Sequence, residues 1–164
     1  MVIALGSNLG DRLDNLQGGL DALFDAPGLT FLAVSPVFET QAVGGPEQAD
    51  YLNAVLIAET SLPARAVLER CHAVEASLGR VRAQRWGPRT LDLDLIVYGD
   101  VVSDDPEMTL PHPRAHERAF VLAPWVEADP DGRIPGRGRV PDLLGQVSLT
   151  GVRRLDGTVL HPPA

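Results

Sequence analysis

Apolar and polar positions along the chain alternate with two different periods, and the changes of period lay out an ordered set of elements. Residues 2–5 are an apolar run that reads as a short strand, and 6–10 read as a turn. Asp11 or a neighbour can cap the helix that follows. Leu13, Leu16, Leu20, Leu23 and Phe24 recur at helical spacing until Pro27 and Gly28 break the pattern. A second strand is predicted over 30–38, with Pro36 suggesting an edge position. Residues 41–50 form a Gly/Pro loop, and 51–59 a third strand. Pro63 can start a second helix, whose apolar stripe is Ala64, Val67, Leu68, Cys71, Val74 and Leu78, ended by Gly79. After an arginine-rich loop comes a fourth strand from Asp92 to Tyr98.

The order β-α-β-β-α-β predicts an α+β fold, a ferredoxin-like sandwich with both helices on one sheet face and the other face free for a ligand. Past Tyr98 a loop to Glu117 is expected, then an apolar piece over 119–126 and, from Asp129, an irregular Gly/Pro/Arg-rich C-terminal extension. No repeat or linker divides the chain, so residues 1–164 are expected to be one domain.

The strongest chemical signal lies at the start of the fourth strand. Asp92 and Asp94 alternate with Leu91, Leu93 and Leu95, which puts both carboxylates on one face. Two convergent carboxylates suit Mg²⁺, a hard cation that leaves positions for water and phosphate oxygens. Just upstream, Arg80, Arg82, Arg85 and Arg89 offer forked donors for phosphate. Arginines beside acids are more often a solvated surface of weak ion pairs. Trp86, with Gly87 and Pro88, inside the arginine cluster favours instead a loop that closes over a flat ligand. The combination describes a site for a metal–polyphosphate complex, most simply MgATP.

Composition removes several alternatives. The net charge of −8 argues against nonspecific binding to nucleic acid or a membrane surface. No run is long and apolar enough for a membrane span, and no basic-then-apolar leader is seen, so a cytoplasmic enzyme is expected. The single cysteine, Cys71, excludes an internal disulfide and a multi-cysteine zinc site. All 14 basic residues are arginine. A phosphate loop ending in Gly-Lys-Ser/Thr is therefore impossible, as is Schiff-base chemistry on lysine.

The string Arg85-Trp86-Gly87-Pro88-Arg89-Thr90-Leu91-Asp92-Leu93-Asp94-Leu95-Ile96 closely resembles the signature of the 6-hydroxymethyl-7,8-dihydropterin pyrophosphokinase family. The resemblance begins at residues 4–12 and continues through 50–53, 79–82, Pro111 and His112 to Arg118 and Phe120. It implies transfer of pyrophosphate from MgATP to the pterin's 6-hydroxymethyl group in folate biosynthesis, with two Mg²⁺ ions on Asp92 and Asp94. Arg80 and Arg89 match arginines that engage phosphates during transfer, and these four residues form the implied catalytic set. Glu75, Arg82, Arg85, Trp86, Leu95 (through its backbone), Thr109, His112 and Arg118 match positions around ATP. Tyr51 and Phe120 match the aromatic pair sandwiching the pterin, Asn53 its polar anchor, and Thr40 and Val43 loop positions touching it largely through backbone. The partners implied are the two small-molecule substrates, with no nucleic acid or membrane and a monomeric enzyme.

Blander readings exist for individual residues. Tyr51 and Phe120 suit a core, His112 is a histidine between two prolines, and Glu75 and Arg118 suit a charged surface. Cys71 reads as packing, and the 6–8 turn as structural. Two other classes share the predicted topology. One is a noncatalytic ferredoxin-like module sensing a small ligand through a metal–nucleotide complex, which leaves the clustered arginines beside D-x-D unexplained. The other is an RNA-binding sheet, opposed by the acidic charge and by the absence of ring-stacking residues on the first strand.

Overall fold

The computed structural model describes residues 1–41, 49–78 and 90–163. Helix and sheet are mixed, as expected. The elements are β1 (Val2–Ser7), α1 (Arg12–Leu23), β2 (Leu29–Val34), β3 (Pro36–Thr40), β4 (Tyr51–Thr60), α2 (Ala64–Ser77), β5 (Asp92–Val97), β6 (Ser103–Asp105), β7 (Met108–Leu110), a 3-10 turn (Ala115–Glu117), α3 (Ala119–Ala128), β8 (Arg133–Ile134), β9 (Gly138–Arg139), α4 (Val140–Leu144) and β10 (Val152–Val159). The main sheet runs β10-β3-β4-β1-β5, with β2 also paired to β4. Its pairings are antiparallel.

Side-chain alternation along β1, β4 and β5 sorts two cores onto the two faces. Ile3, Leu5, Leu52, Ala54, Leu56, Leu93 and Leu95 face α1 and α2, against Leu16, Leu20, Leu23, Val67, Cys71 and Val74. Asp11 caps α1 by accepting from the Asp14 N–H at 3.1 Å. Pro63 occupies the N-cap of α2. Gly19 lets α1 approach the beginning of β5, since a Cβ there would meet Leu91 Cδ2 at 2.7 Å. Leu91 is thereby buried one residue before Asp92.

Four expectations need correction. The single strand over 30–38 is two strands separated at Ser35. Val34 pairs with Leu56 and Phe38 with Asn53, so β2–β3 carries one residue more than β4 across this interval. Ser35 takes up the excess: its N–H donates to Val55 O and its Oγ accepts from Val55 N–H, each at 2.9 Å. Pro36 sits at this bulge and not on a sheet edge, because β10 covers β3.

The sheet face opposite α1 and α2 is also partly covered. Val2, Val55, Ile96 and Val97 pack there against Val121, Leu122 and Trp125 of α3, together with Ile134, Val140 and Leu143. Among the described residues, α3 and its neighbours leave the part of this face around Gly6, Asn53 and Asp92 outside that core. Finally, the C-terminal extension is ordered where it was expected to be irregular. It contributes the β8–β9 hairpin, α4 and the strand β10, whose register shifts between Arg154 and Val159.

Candidate active site

Cross-strand register brings the predicted residues into rows on the face that α3 leaves uncovered. Asp92 pairs with Gly6, Gly6 with Asn53 and Asn53 with Phe38, so these four lie side by side across the sheet. In the next row towards α3, Asp94 pairs with Ala4 and Ala4 with Val55. On the other side, Tyr51 pairs with Thr40. Strands are spaced about 4.8 Å apart, which sets Asp92 and Asn53 about 10 Å from each other across Gly6. Asp92 and Asp94 are both half-buried, on an otherwise buried strand.

Gly6 is the floor between them. A Cβ at this position would come within 3.1 Å of Asn53 Oδ1 and 3.5 Å of Tyr51 Cδ1. Those groups therefore lie over bare main chain, a packing that the reading of 6–8 as a mere turn did not anticipate. Asn53 is buried, and its Nδ2 donates to Thr40 Oγ1 at 2.8 Å. One donor of the amide is thus spent on Thr40, which fixes the orientation of the remaining donor and the acceptor. Thr40 was expected to act through its backbone; its hydroxyl does this additional work.

Glu75 lies at the opposite side of β5. It is 2 % exposed and its Oε2 accepts from the Leu93 N–H at 2.8 Å. Among the described residues β5 ends the sheet, so N–H groups on its outer edge need partners outside the ladder. Glu75 supplies one for the residue between the two aspartates. Leu95 has its side chain in the α1/α2 core, leaving only its main chain for a ligand.

The segment after β7 brings His112 near Asp94. His112 is tied to β5 through its N–H, which donates to Ile96 O at 2.8 Å. Its Nδ1 accepts from the Arg114 N–H at 3.2 Å, which leaves the proton of a neutral ring on Nε2. Burial lowers the His112 pKa, with Arg118 and Arg114 acting in the same direction and Asp94 opposing them. The Arg118 guanidinium stands over the Phe120 ring, 5.5 Å from its centroid. Phe120 packs at the border of the second core, as does Ala4. Thr109 donates its hydroxyl proton to Asp105 O at 3.0 Å within the β6–β7 hairpin.

Val43, Arg80, Arg82, Arg85, Trp86 and Arg89 lie outside the described residues. Among the described residues, no three His, Cys, Asp or Glu side chains form a metal-holding group. A half-buried pair of hard oxygen donors fits a cation that takes its other ligands from phosphate and water. Cys71 packs in the core, and burial pushes its thiol pKa up to about 12. Among the described residues, no helix is long and apolar enough to cross a membrane.

Comparisons with known proteins agree on one family. The sequence profile described as 7,8-dihydro-6-hydroxymethylpterin-pyrophosphokinase (HPPK) matches residues 2–130. A Pseudomonas aeruginosa protein named 2-amino-4-hydroxy-6-hydroxymethyldihydropteridine pyrophosphokinase is 39% identical over 155 residues, covering 94% of this chain and 96% of its own. A Mycobacterium bovis protein of the same name is 45% identical over 148 residues, covering 84% and 77%. Among solved structures, a Plasmodium falciparum HPPK-DHPS triple mutant with SDX-DHP superposes with a TM-score of 0.60 at 11% identity. That match covers 88% of this chain and 43% of the other, and it speaks for the fold alone.

Proposed function

Because the chain belongs to the 7,8-dihydro-6-hydroxymethylpterin-pyrophosphokinase family, we infer that the uncovered sheet face is where its two substrates meet. The protein transfers pyrophosphate from ATP to the 6-hydroxymethyl group of 6-hydroxymethyl-7,8-dihydropterin, giving the pterin diphosphate and AMP in folate biosynthesis. The observation that supports this location best is the row Asp92–Gly6–Asn53, in which one carboxylate and one amide share a sheet face.

In this reading Asp92 and Asp94 hold two Mg²⁺ ions through carboxylate oxygens. When bound, Mg²⁺ neutralises triphosphate charge and favours an in-line displacement. The pterin's alcohol oxygen attacks the β-phosphorus of ATP, the bond from that phosphorus to the α,β-bridging oxygen breaks, AMP departs, and the alcohol's proton is released to solvent. Asn53, held by Thr40, offers donor and acceptor to the pterin's amide and amino edge, while Tyr51 and Phe120 stack on its faces. Val43 adds a contact through backbone. His112 donates from Nε2 to phosphate, Arg118 pairs with it, and Leu95 meets adenine through main chain. Thr109 lies beside ATP, and Glu75 supports it from behind β5.

Arg80 and Arg89 neutralise charge on the transferred group, with Arg82, Arg85 and Trp86 on the nucleotide side. No dedicated base is assigned; a positioned primary alcohol beside the metal needs orientation and exclusion of water.

The strand order β3-β4-β1-β5, with α1 and α2 sharing one core, supports a ferredoxin-like classification. Residues 1–164 then form a single pyrophosphokinase domain, a reading supported by β10 pairing with β3. A cytoplasmic monomer is proposed, consistent with a buried free Cys71. The test is to incubate the protein with MgATP and the pterin and follow nucleotides by ³¹P NMR. AMP should appear in step with pterin diphosphate. ADP would replace pyrophosphoryl transfer by simple phosphorylation, and ATP bound without turnover would favour a ligand-sensing module.

A further inference from the structure

The stretch over residues 4–12 contains a side chain that the reaction scheme does not use. Arg12 is the first residue of α1, yet its guanidinium reaches both β3 and the residue that leads into β4. Its Nη1 donates to Glu39 Oε2 on β3 at 3.0 Å and to the Asp50 carbonyl at 2.7 Å. Asp50 immediately precedes Tyr51, the first residue of β4, and Glu39 immediately precedes Thr40, the last of β3. Asn8 Nδ2 adds a bond to Ala49 O at 3.1 Å. The β1–α1 turn therefore clasps the chain where it enters β4.

The clasp acts on a short pairing. β3 and β4 are registered through three pairs, Phe38–Asn53, Glu39–Leu52 and Thr40–Tyr51. Glu39 pairs with Leu52, whose side chain packs in the α1/α2 core, so Arg12 works from behind the ligand face. Any spreading of the two strand ends would displace Tyr51 and, through the Thr40–Asn53 hydrogen bond, the Asn53 amide. Glu39 is largely shielded, with a side-chain exposure of 12%, and Arg153 of β10 also pairs with it. Burial pushes the Glu39 pKa up, but its bonds to Arg12 and Arg153 outweigh this and leave it below the usual range. An exposed ion pair would be worth little, but a charged donor shared between a shielded carboxylate and a strand-end carbonyl constrains geometry.

We propose that Arg12 is a positioning residue for the pterin side of the reaction, joining the ends of β3 and β4 so that Thr40, Tyr51 and Asn53 keep their mutual placement. This rests on the assignment of those three residues to the pterin. Arg12 touches neither substrate; its effect reaches the pterin through strand separation and leaves the nucleotide side untouched.

The test is a kinetic separation, with each substrate varied at saturation by the other, in the full chain. Arg12→Ala should raise the KM for pterin about tenfold while the KM for ATP stays within about twofold. Arg12→Lys, which restores a charged donor, should recover most of that loss. Arg153→Ala removes the other partner of Glu39 but leaves the Asp50 bond, and should change the pterin KM by less than about twofold. If Arg12→Ala does not fold, Arg12→Gln, which keeps length and loses charge, carries the same expectation. An unchanged pterin KM, equal changes for both substrates, or an equal effect of Arg153→Ala overturns the proposal. A wild-type protein that forms no AMP from these substrates overturns the functional reading beneath it instead. Active wild type with Tyr51→Ala and Asn53→Ala leaving the pterin KM unchanged overturns the site assignment on which the clasp depends.

Discussion

The buried carboxylate of Glu75 accepts the N–H of Leu93, the residue between Asp92 and Asp94, so a side chain of α2 anchors the strand that presents both aspartates. The bond lies on the edge of β5 that no strand covers among the described residues. Replacing Glu75 by Ala leaves a buried N–H without this acceptor, a loss of about 1–3 kcal/mol. Urea unfolding should show it, together with a fall in kcat as the aspartates lose their support. Glu75→Gln keeps an acceptor and should retain more of both. Wild-type stability and turnover in Glu75→Ala would show that the bond is incidental.

The metal assignment has its own test. Asp94→Asn should lose most turnover at limiting Mg²⁺ while its unfolding midpoint stays close to wild type, because the residue is half-buried and takes no part in the α1/α2 core. Near-normal turnover under those conditions would rule out Asp94 as a metal ligand.

Thr40 should matter through its hydroxyl. Thr40→Val removes the acceptor for Asn53 Nδ2 and is expected to raise the pterin KM several-fold, roughly the worth of one hydrogen bond, with Thr40→Ser near wild type. Equal behaviour of the two variants would mean that Thr40 acts through its backbone alone.

His112 gives a pH dependence of defined sign. Burial lowers its pKa in the folded protein from the ordinary value of 6.5, so the unfolded chain binds the proton more readily. Its contribution to stability is complete above pH 6.5 and is lost as pH falls through the depressed folded value. The stability difference between His112→Gln and wild type, measured by urea, should therefore shrink or reverse on going from neutral to acidic pH. Asp94 opposes the shift, and so Asp94→Asn should move the His112 titration, followed by NMR, still lower. An upward movement would contradict the electrostatic arrangement.

Away from the site, Arg70 closes the end of α1. Its guanidinium donates to the carbonyls of Leu23, Ala26 and Pro27 at 3.3, 3.2 and 2.8 Å. Arg70→Ala should destabilise the fold by about 2 kcal/mol in urea with kcat unchanged. A large kcat loss at full stability would point to an unrecognised functional role.

Local pattern made parts of this molecule legible. Leu16, Leu20 and Leu23 announced α1, and the alternation around Asp92 and Asp94 announced β5 and the shared face of its carboxylates. The break at Ser35 was hidden because a bulge adds a residue without changing composition, and Ser35 replaces one ladder group with its own hydroxyl. β10 was missed for a related reason. Its exposed residues, including Arg153 and Arg154, and its register shift erase the period of two. The covering of the second face was equally obscure: α3 is apolar nearly all round and contains Pro124, so no stripe reveals which side it buries. In the site, residue types signalled Asn53 and the aspartates, but only the register across three strands reveals Gly6 between them.

That glycine also bears on how an inhibitor of this enzyme could be evaded. A compound resting on the floor at Gly6 contacts main-chain atoms, and no side chain exists there to be trimmed away. Resistance at this position would have to add bulk, and the first atom added presses on Asn53 Oδ1 at 3.1 Å. The substitution that expels the drug would then disturb the amide proposed to read the pterin, linking escape at this point to impaired catalysis.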